Sequence, residues 1–326
     1  MPQRDFFDKD IANTENTNGY YIIQENDFVY NPRKSNEAPY GPISMYKYKD
    51  KGIVSPLYLC FRATKEIHPR YFEMYFKSSV WHKYIYFAGD SGARYDRVSI
   101  KDDVFFEMPI NIPSLPEQQK IADFLSLVDR RIEKQRQLVE SLKKYKRGLF
   151  SYYFQKNKSY KIARLGDFAK IYQPSTISQS QFNDGKYKVF GANGYIGNYD
   201  KYNHAVPQVT ISCRGEKCGT VNFVDAYTWI TGNSMVVNID DQNEINKRYL
   251  YHCLSNQNLK YLVSGSAQPQ IIRTDVARHS IPVPSIEFQE KLSFFLDSIE
   301  QKIKNEQTME ECLFDMKNAL LQQMFI

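Results

Sequence analysis

The apolar positions between Pro116 and Phe150 follow a single rule. Ile121, Leu125, Val128, Ile132, Val139, Leu142 and Leu149 stand at alternating steps of four and three, and only Gln135 and Lys146 interrupt the register. Such steps draw a narrow apolar seam along one face of an α-helix, and a seam of this length is buried lengthwise against a second helix. Pro116 followed by Glu117 marks the entrance. Proline is tolerated in a first turn, and an early carboxylate complements the positive end of the helix dipole. The predicted helix, residues 117–150, would extend roughly 50 Å if continuous.

Its partner lies in the same chain. A displacement of 171 residues lays "PSLPEQQKIADFLSLVDRRIEKQ" on "PSIEFQEKLSFFLDSIEQKIKNE", residues 284–306, without a gap. Pro113, Ser114, Gln118, Lys120, Phe124, Leu125 and Ile132 recur as Pro284, Ser285, Gln289, Lys291, Phe295, Leu296 and Ile303. The match continues through Leu142/Leu313, Lys146/Lys317, Leu149/Leu320 and Phe154/Phe325, which marks an internal duplication. The second seam therefore includes Leu292, Leu296, Ile299, Ile303 and Leu313. Residues 117–150 hold nine Lys/Arg against five Asp/Glu, whereas residues 288–326 hold four against seven. Opposite net charge favours pairing of the two rods, although each exposed ion pair contributes little. Polar Gln135 and Glu306 occupy equivalent seam positions, where they could fix register at some cost in stability.

The repeat extends more loosely upstream. "GIVSPLYLCF" (52–61) matches "TGNSMVVNI" (231–239) as a short β-rich run, and "RYFEMYFKS" (70–78) matches "RYLYHCLSN" (248–256) as a short helix. "SGARYDRVSIKDDV" (91–104) matches "GSAQPQIIRTDV" (265–276) as a small-residue loop. Short apolar runs punctuated by Gly, Asn and Pro predict a mixed domain with extended loops. The order is β-rich domain, long helix, β-rich domain, long helix. The expected fold class is α+β: two β-rich mixed domains separated by two long antiparallel helices, a pseudo-two-fold repeat in which the rods act as a spacer.

Length and composition narrow the class. A chain of 326 residues exceeds what one core usually organises, and 42% apolar content suffices for two. The net charge of +6 mildly favours a polyanionic partner. Cys60, Cys213, Cys218, Cys253 and Cys312 are scattered and odd in number, which suits a reducing compartment better than a disulfide framework. "MPQRDFFDKD" has no apolar signal core and no run reaches membrane-spanning length, so a cytoplasmic protein without membrane contact is expected.

With these motifs in hand, the sequence resembles the specificity (S) subunits of type I restriction–modification systems. "IPSLPEQQKIADFLSLVDRRIEKQ" is very close to the motif that follows each target recognition domain in that family, and its repetition is equally typical. "LGDFAKIYQ" (165–173) looks like the opening of a recognition domain, while "FFDKDIANTENTNGYYIIQENDFVYNPRKS" and "GIVSPLYLCF" resemble the later part of one. The resemblance implies a first target recognition domain over residues 1–112, a first long helix over 113–156, a second recognition domain over 157–283 and a second long helix over 284–326. The first domain has no "LGD" and far less sequence before "DFVYN", so it is expected to lack an N-terminal part. The resemblance further implies a non-catalytic subunit that binds double-stranded DNA, each recognition domain reading one half of a split target. The helices would set the spacing and dock two modification (methyltransferase) subunits, which a restriction (translocase–nuclease) subunit can join. No cofactor is expected on this chain; S-adenosylmethionine, ATP and Mg are implied for the partner subunits.

The residues themselves give no competing chemistry. A phosphate loop is absent, and Asn31-Pro32 continues into Arg33-Lys34, unlike an adenine methyltransferase loop. "FGANG" (190–194) lacks a strand-to-helix setting and reads as a turn. Cys213 and Cys218, with His204 and Cys253, could in principle surround zinc, but a lone pair with this spacing argues against a metal. Buried apolar cysteines are the commoner outcome. The other histidines, His68, His82, His252 and His279, show no partner pattern.

Function then rests on contacts. Arg and Lys neutralise phosphates, while Arg, Asn and Gln can read base edges. Loops rich in these residues are the candidates: "NPRKSN" (31–36) and "SGARYDR" (91–97) in the first half, "SCRGEK" (212–217) and "SGSAQPQIIR" (264–273) in the second. The candidate DNA-binding residues are Arg33, Lys34, Arg94, Arg97, Arg214, Lys217, Gln268, Gln270 and Arg273. Gly92, Gly215 and Gly265 would let the backbone approach DNA closely. Tyr40, Tyr95 and Tyr195 could wedge at the interface or pack in a core. The alternative from another class is a truncated or silent remnant that acts only as a coiled-coil scaffold.

Overall fold

Turn residues interrupt every apolar run in the first part of the chain, so its strands are short. The computed structural model describes residues 18–89, 96–156, 160–265 and 268–325. The chain divides into two units, Met1–Gln137 with Gln307–Ile326, and Leu138–Glu306. Unit 1 contains β1 (Tyr21–Ile23), β2 (Asp27–Tyr30), β3 (Ile43–Met45), β4 (Gly52–Val54) and β5 (Leu59–Arg62). β1 pairs with β4, and β2 is the centre of an antiparallel β3–β2–β5 sheet. Against that sheet lie α1 (Pro69–Lys77), α2 (His82–Ala88) and α3 (Asp102–Phe106). Pro69 opens α1, where its missing N–H is no loss, and His68 caps it by accepting from the Tyr71 N–H. The abundant aromatics are used here: Phe28 contacts the rings of Phe61, Phe72 and Phe76, and Tyr30 those of Trp81 and Phe105.

The first long helix, α4, spans Leu115–Lys156 and exceeds the predicted 117–150 at both ends. Ser114 explains the start, since its N–H and hydroxyl both donate to the Glu117 carboxylate at 3.0 and 2.6 Å. Aromatic anchorage explains the extension, because Phe150 and Phe154 join the core of unit 2.

Unit 2 continues with β6 (Lys161–Arg164), α5 (Leu165–Phe168), β7 (Lys170–Tyr172), β8 (Tyr187–Phe190) and β9 (Tyr195–Tyr199). Then follow β10 (Gln208–Ser212), β11 (Val221–Val224), β12 (Trp229–Ile230), β13 (Ser234–Asn238), α6 (Lys247–Ser255), α7 (Arg273–Arg278), β14 (Ser280–Val283) and α8 (Ile286–Met324). The main sheet runs β11–β10–β13–β7, a second is ordered β12–β8–β9, and β14 pairs with β6. "FGANG" is the turn that joins β8 to β9, closed by Gly191 N–H to Gly194 C=O at 2.8 Å. No helix among the described residues is long and apolar enough to cross a membrane.

Both long helices contribute to each unit, and within each they run antiparallel. In unit 1, Ala122 and Leu125 share a core with Leu321 and Phe325, Asp129 meets Lys317 at 2.5 Å, and Arg136 meets Glu310 at 3.0 Å. In unit 2, Val139 packs with Ile299 and Ile303, flanked by Leu142 and Leu149, and Lys146 meets Glu300 at 3.0 Å. Leu125, Val128, Ile132, Leu292, Leu296, Ile299 and Ile303 are buried. Ile121, Leu142 and Leu313 are half-buried.

One buried glutamine in each unit joins the β-rich fold to its helix in the same way. Gln118 is fully buried; its side-chain oxygen accepts from the His68 N–H (2.8 Å), and its nitrogen donates to the carbonyls of Glu66 (3.0 Å) and Pro113 (2.9 Å). Gln289, also fully buried, accepts from the Asn246 N–H (2.9 Å) and donates to the carbonyls of Glu244 (2.8 Å) and Pro284 (2.9 Å). The hydroxyls of Tyr71 and Tyr249 likewise donate to the carbonyls of Asn111 and Pro282.

Candidate nucleic-acid interface

In unit 1 the chain leaves β2 at Tyr30 and turns through Asn31, whose side-chain oxygen accepts from the Arg33 N–H at 3.0 Å. Arg33 forms an antiparallel bridge with Arg97. It is secured by Val98 N–H to Pro32 C=O and Lys34 N–H to Asp96 C=O, both 2.8 Å. Two loops far apart in sequence thus present Arg33, Lys34 and Arg97 together, the first two exposed and the third half-buried. Arg94, Gly92 and Tyr95 lie outside the described residues. Tyr40 is half-buried against the His82 ring and supplies its carbonyl to the Tyr30 hydroxyl.

Unit 2 repeats the arrangement. Arg214, just after β10, bridges Gln270, which also bridges Ser264. Gly215 N–H donates to Pro269 C=O at 3.1 Å, and Ile271 N–H to Cys213 C=O at 3.1 Å. Arg214, Lys217, Gln268 and Gln270 are exposed in one loop cluster. Gly215 and Gly265 hold left-handed φ values of 81° and 83°, which a side chain would strain. Arg273 opens α7 beyond the bridged segment and is exposed. Tyr195 is 42% exposed, and its hydroxyl donates to Asp225.

In both units, charged anchors fix the β-rich folds to the long helices. Arg248 on α6 grips Asp297 with two nitrogens, and Asp297 also meets His252 Nε2 at 2.7 Å. Glu300 accepts from the Tyr251 hydroxyl and from Lys146. Burial pushes the Asp297 and Glu300 carboxyls up, but hydrogen bonds from Arg248 and His252, and from Tyr251 and Lys146, outweigh it and hold both low. Burial, with Lys146 nearby, lowers His252. In unit 1, Arg70 contacts Ser126 (3.1 Å), Asp129 (3.0 Å) and the buried Glu73, which Lys47 and Lys77 also meet. Sequence reasoning missed this role, although Arg70 and Arg248 open the matched "RYF" and "RYL" and Gln118 and Gln289 are identities of the repeat.

Cys213, Cys218 and Cys253 belong to the apolar core of unit 2. His204 bonds Tyr172 and Asn203 instead of approaching them as a ligand set. Among the described residues, His252, Asp297 and Glu300 bring potential ligand atoms within 4.8 Å of one another, but Arg248 and Lys146 already neutralise the two carboxylates.

The family pattern of the type I restriction modification DNA specificity domain matches residues 7–144 and again 157–313. A Mycoplasma pneumoniae protein described as a type I specificity subunit is 24% identical over 218 residues, which are 62% of this chain and 58% of that protein. The specificity subunit of the Escherichia coli type I restriction enzyme EcoprrI is 28% identical over 141 residues, 42% of this chain and 35% of that protein. The chain thus spans little more than half, and about a third, of these two relatives. The crystal structure of an S subunit from M. genitalium matches with a TM-score of 0.56 at 16% identity, covering 93% of this chain and 84% of that one. A chain from work on complex assembly and conformational transition of the type I system matches at 0.58 and 18%, covering 92% and 81%. At these identities the structural likeness is one of fold, whereas the sequence pattern recurs across most of the chain. The chain belongs to the type I restriction modification DNA specificity domain family and carries that domain twice.

Proposed function

We propose that this chain is the DNA sequence-recognition subunit of a type I restriction–modification complex, with one unit for each half of a split target. The observation that carries this is the twice-built loop pair, in which Arg33 bridges Arg97 and Arg214 bridges Gln270 at corresponding places. Guanidinium groups and amides on bridged loops suit bidentate contacts to base edges, and neighbouring Lys34 and Lys217 suit phosphates. In this reading the chain has no catalytic step and works in the cytoplasm. Two modification subunits dock on its long helices, and S-adenosylmethionine, ATP and Mg serve those and the restriction subunits. The test is genomic adenine methylation in cells expressing this gene with its modification gene. A split motif that disappears on deletion of this gene supports the reading. Arg214→Ala, expected to cost about 1–3 kcal/mol at one base, should relax a single position of one half-site. No methylation change on deletion, in cells shown to express the protein, would leave a silent scaffold instead.

A further inference from the structure

Three segments of unit 2, remote in sequence, meet at the corner from which Arg214 projects. Ser212 on β10 is paired with Ser234 on β13, so their side chains point to one face of the main sheet. Both are fully buried, and both hydroxyls donate to the turn between β8 and β9. Ser212 donates to the Ala192 carbonyl, and Ser234 to the carbonyls of Gly191 (2.8 Å) and Ala192 (3.1 Å). The turn is thus fastened to the end of the sheet by the two residues before its exposed tip, Asn193. Gln173, one residue beyond β7, ties in the other two segments: its amide nitrogen donates to the Gly232 carbonyl and to Cys213 Sγ, both at 3.0 Å, and Gly232 N–H donates to Thr176 Oγ1 at 3.2 Å. The chain after β10 stays extended, with Cys213 N–H donating to the Asn233 carbonyl at 3.0 Å and Arg214 in its bridge to Gln270. Side chains alternate along such a chain. Cys213 therefore joins Ile211 in the core, and Arg214 returns to the face of Ser212. Arg214 and Asn193 each project just beyond the joint that Ser212 makes with the turn.

Charge selects what this corner faces. The loops that meet there, residues 173–176, 191–194, 213–217 and 231–233, hold Arg214 and Lys217 against a single carboxylate, Glu216. The opposite end of the same sheet, where β13 leaves and β7 enters, carries Asp240 and Asp241. A polyanion is met at the corner of Asn193 rather than at that end. The φ of Asn193 is not left-handed, so the backbone there accepts other residues and does not itself call for asparagine.

We infer that Asn193 is a further specificity-determining residue of unit 2, reading an A·T base pair in the same half-site as Arg214. This rests on the proposed reading of DNA by unit 2 and extends it from the bridged loops to the β8–β9 turn. An asparagine amide presents a donor and an acceptor in one plane and matches the N6 and N7 edge of adenine in the major groove, as a guanidinium matches guanine. Ser212 and Ser234 are positioning residues, because they hold the turn at a fixed place beside Arg214.

The test is the methylated motif in cells expressing the full chain with its modification gene, read as base frequencies at every position of both half-sites. Arg214→Ala identifies the half-site that belongs to unit 2. Asn193→Ala should cut the preference for an A·T pair at one other position of that half-site about tenfold and leave the second half-site unchanged. Asn193→Asp, whose carboxylate accepts but does not donate, should shift the same position towards a C·G pair. A shift of base, unlike a loss, does not arise from misfolding. If Arg214→Ala relaxes a position while both Asn193 variants leave every base frequency as it was, the inference is overturned and the proposed function stands. Uniform loss of methylation in both Asn193 variants, with every base frequency intact, would reduce Asn193 to a phosphate contact or a structural residue and overturn it as well. If Arg214→Ala and the Asn193 variants alike change no position, the reading of DNA by unit 2 fails and the inference falls with it.

Discussion

β13 and β5 are the same strand of a duplicated fold in two settings. β13 lies inside a four-stranded sheet and buries Met235, Val236 and Val237 to within 1% of completely. Among the described residues β5 ends a three-stranded sheet; its Arg62 pairs with Asp27, and its Leu59, Cys60 and Phe61 are half-buried. The buried glutamines and the tyrosines that reach a main-chain carbonyl nevertheless agree group for group between the two units. Among the described residues, the two units thus share the attachment of the β-rich fold to its helix more closely than they share the sheet. A buried amide that loses one partner leaves polar groups unsatisfied, which is a strong reason for the two attachments to stay alike.

The strongest way to break this comparison is to remove the amides. Gln289→Leu strands the Asn246 N–H and the Glu244 and Pro284 carbonyls. At about 1–3 kcal/mol for each orphaned group, a loss of about 3 kcal/mol is expected, or roughly a hundredfold less hydrogen-exchange protection in α6. Gln118→Leu should do the same to α1. If it does not, the attachment in unit 1 is weaker than its geometry indicates.

Arg248→Met leaves the half-buried Asp297 without its guanidinium and should destabilise unit 2 by about 2 kcal/mol, a figure already reduced for solvent screening. Arg70→Met should cost about half as much, since Glu73 keeps Lys47 at 2.7 Å and Lys77 at 3.3 Å. Urea unfolding read by the exchange of α6 and α1 separates the two. Lys146→Met and Lys317→Met remove equivalent ion pairs with Glu300 and Asp129 and should each cost up to about 1 kcal/mol. That effect should shrink as salt rises, most at the more exposed carboxylate.

The smallest effect concerns pH. His252 is buried among Arg248, Lys146, Tyr251, Asp297 and Glu300, and its counterpart in α1 is Met74. Its pKa falls below the ordinary 6.5, so the imidazole is neutral in the fold and the unfolded chain takes up the proton first. Stability from this site is therefore complete above pH 6.5 and declines as pH falls below it. Asp297 and Glu300, held low, add nothing until the carboxylate range is reached. His252→Met should make the fall of the unit 2 urea midpoint between pH 7 and pH 5 shallower, the remaining slope belonging to His204 and His279, whose pKa values burial also lowers.

The helices and the duplication were legible because they are local: steps of four and three, and an ungapped repeat, need no knowledge of distant contacts. The matched runs 52–61 and 231–239 do become β5 and β13, and the matched helices become α1 and α6. The bridge of Arg214 to Gln270 was visible only as two polar loops, since pairing across so many residues leaves no periodic trace. The anchors were hidden for the same reason, Arg70 reaching Asp129 and Arg248 reaching Asp297 from remote positions. β12, two residues long and parallel to β8, has too little sequence to carry a pattern.

The buried glutamines have one further consequence. Every bond that the Gln118 and Gln289 side chains make ends on a main-chain atom, and none depends on which side chain the contacted residue bears. The joint therefore recognises the path of the backbone and is indifferent to its letters. A β-rich fold of altogether different sequence could be grafted onto the same helix, provided its chain passes the joint along the same route. Such a coupling lets the loops of each unit change freely while the frame that carries them stays still.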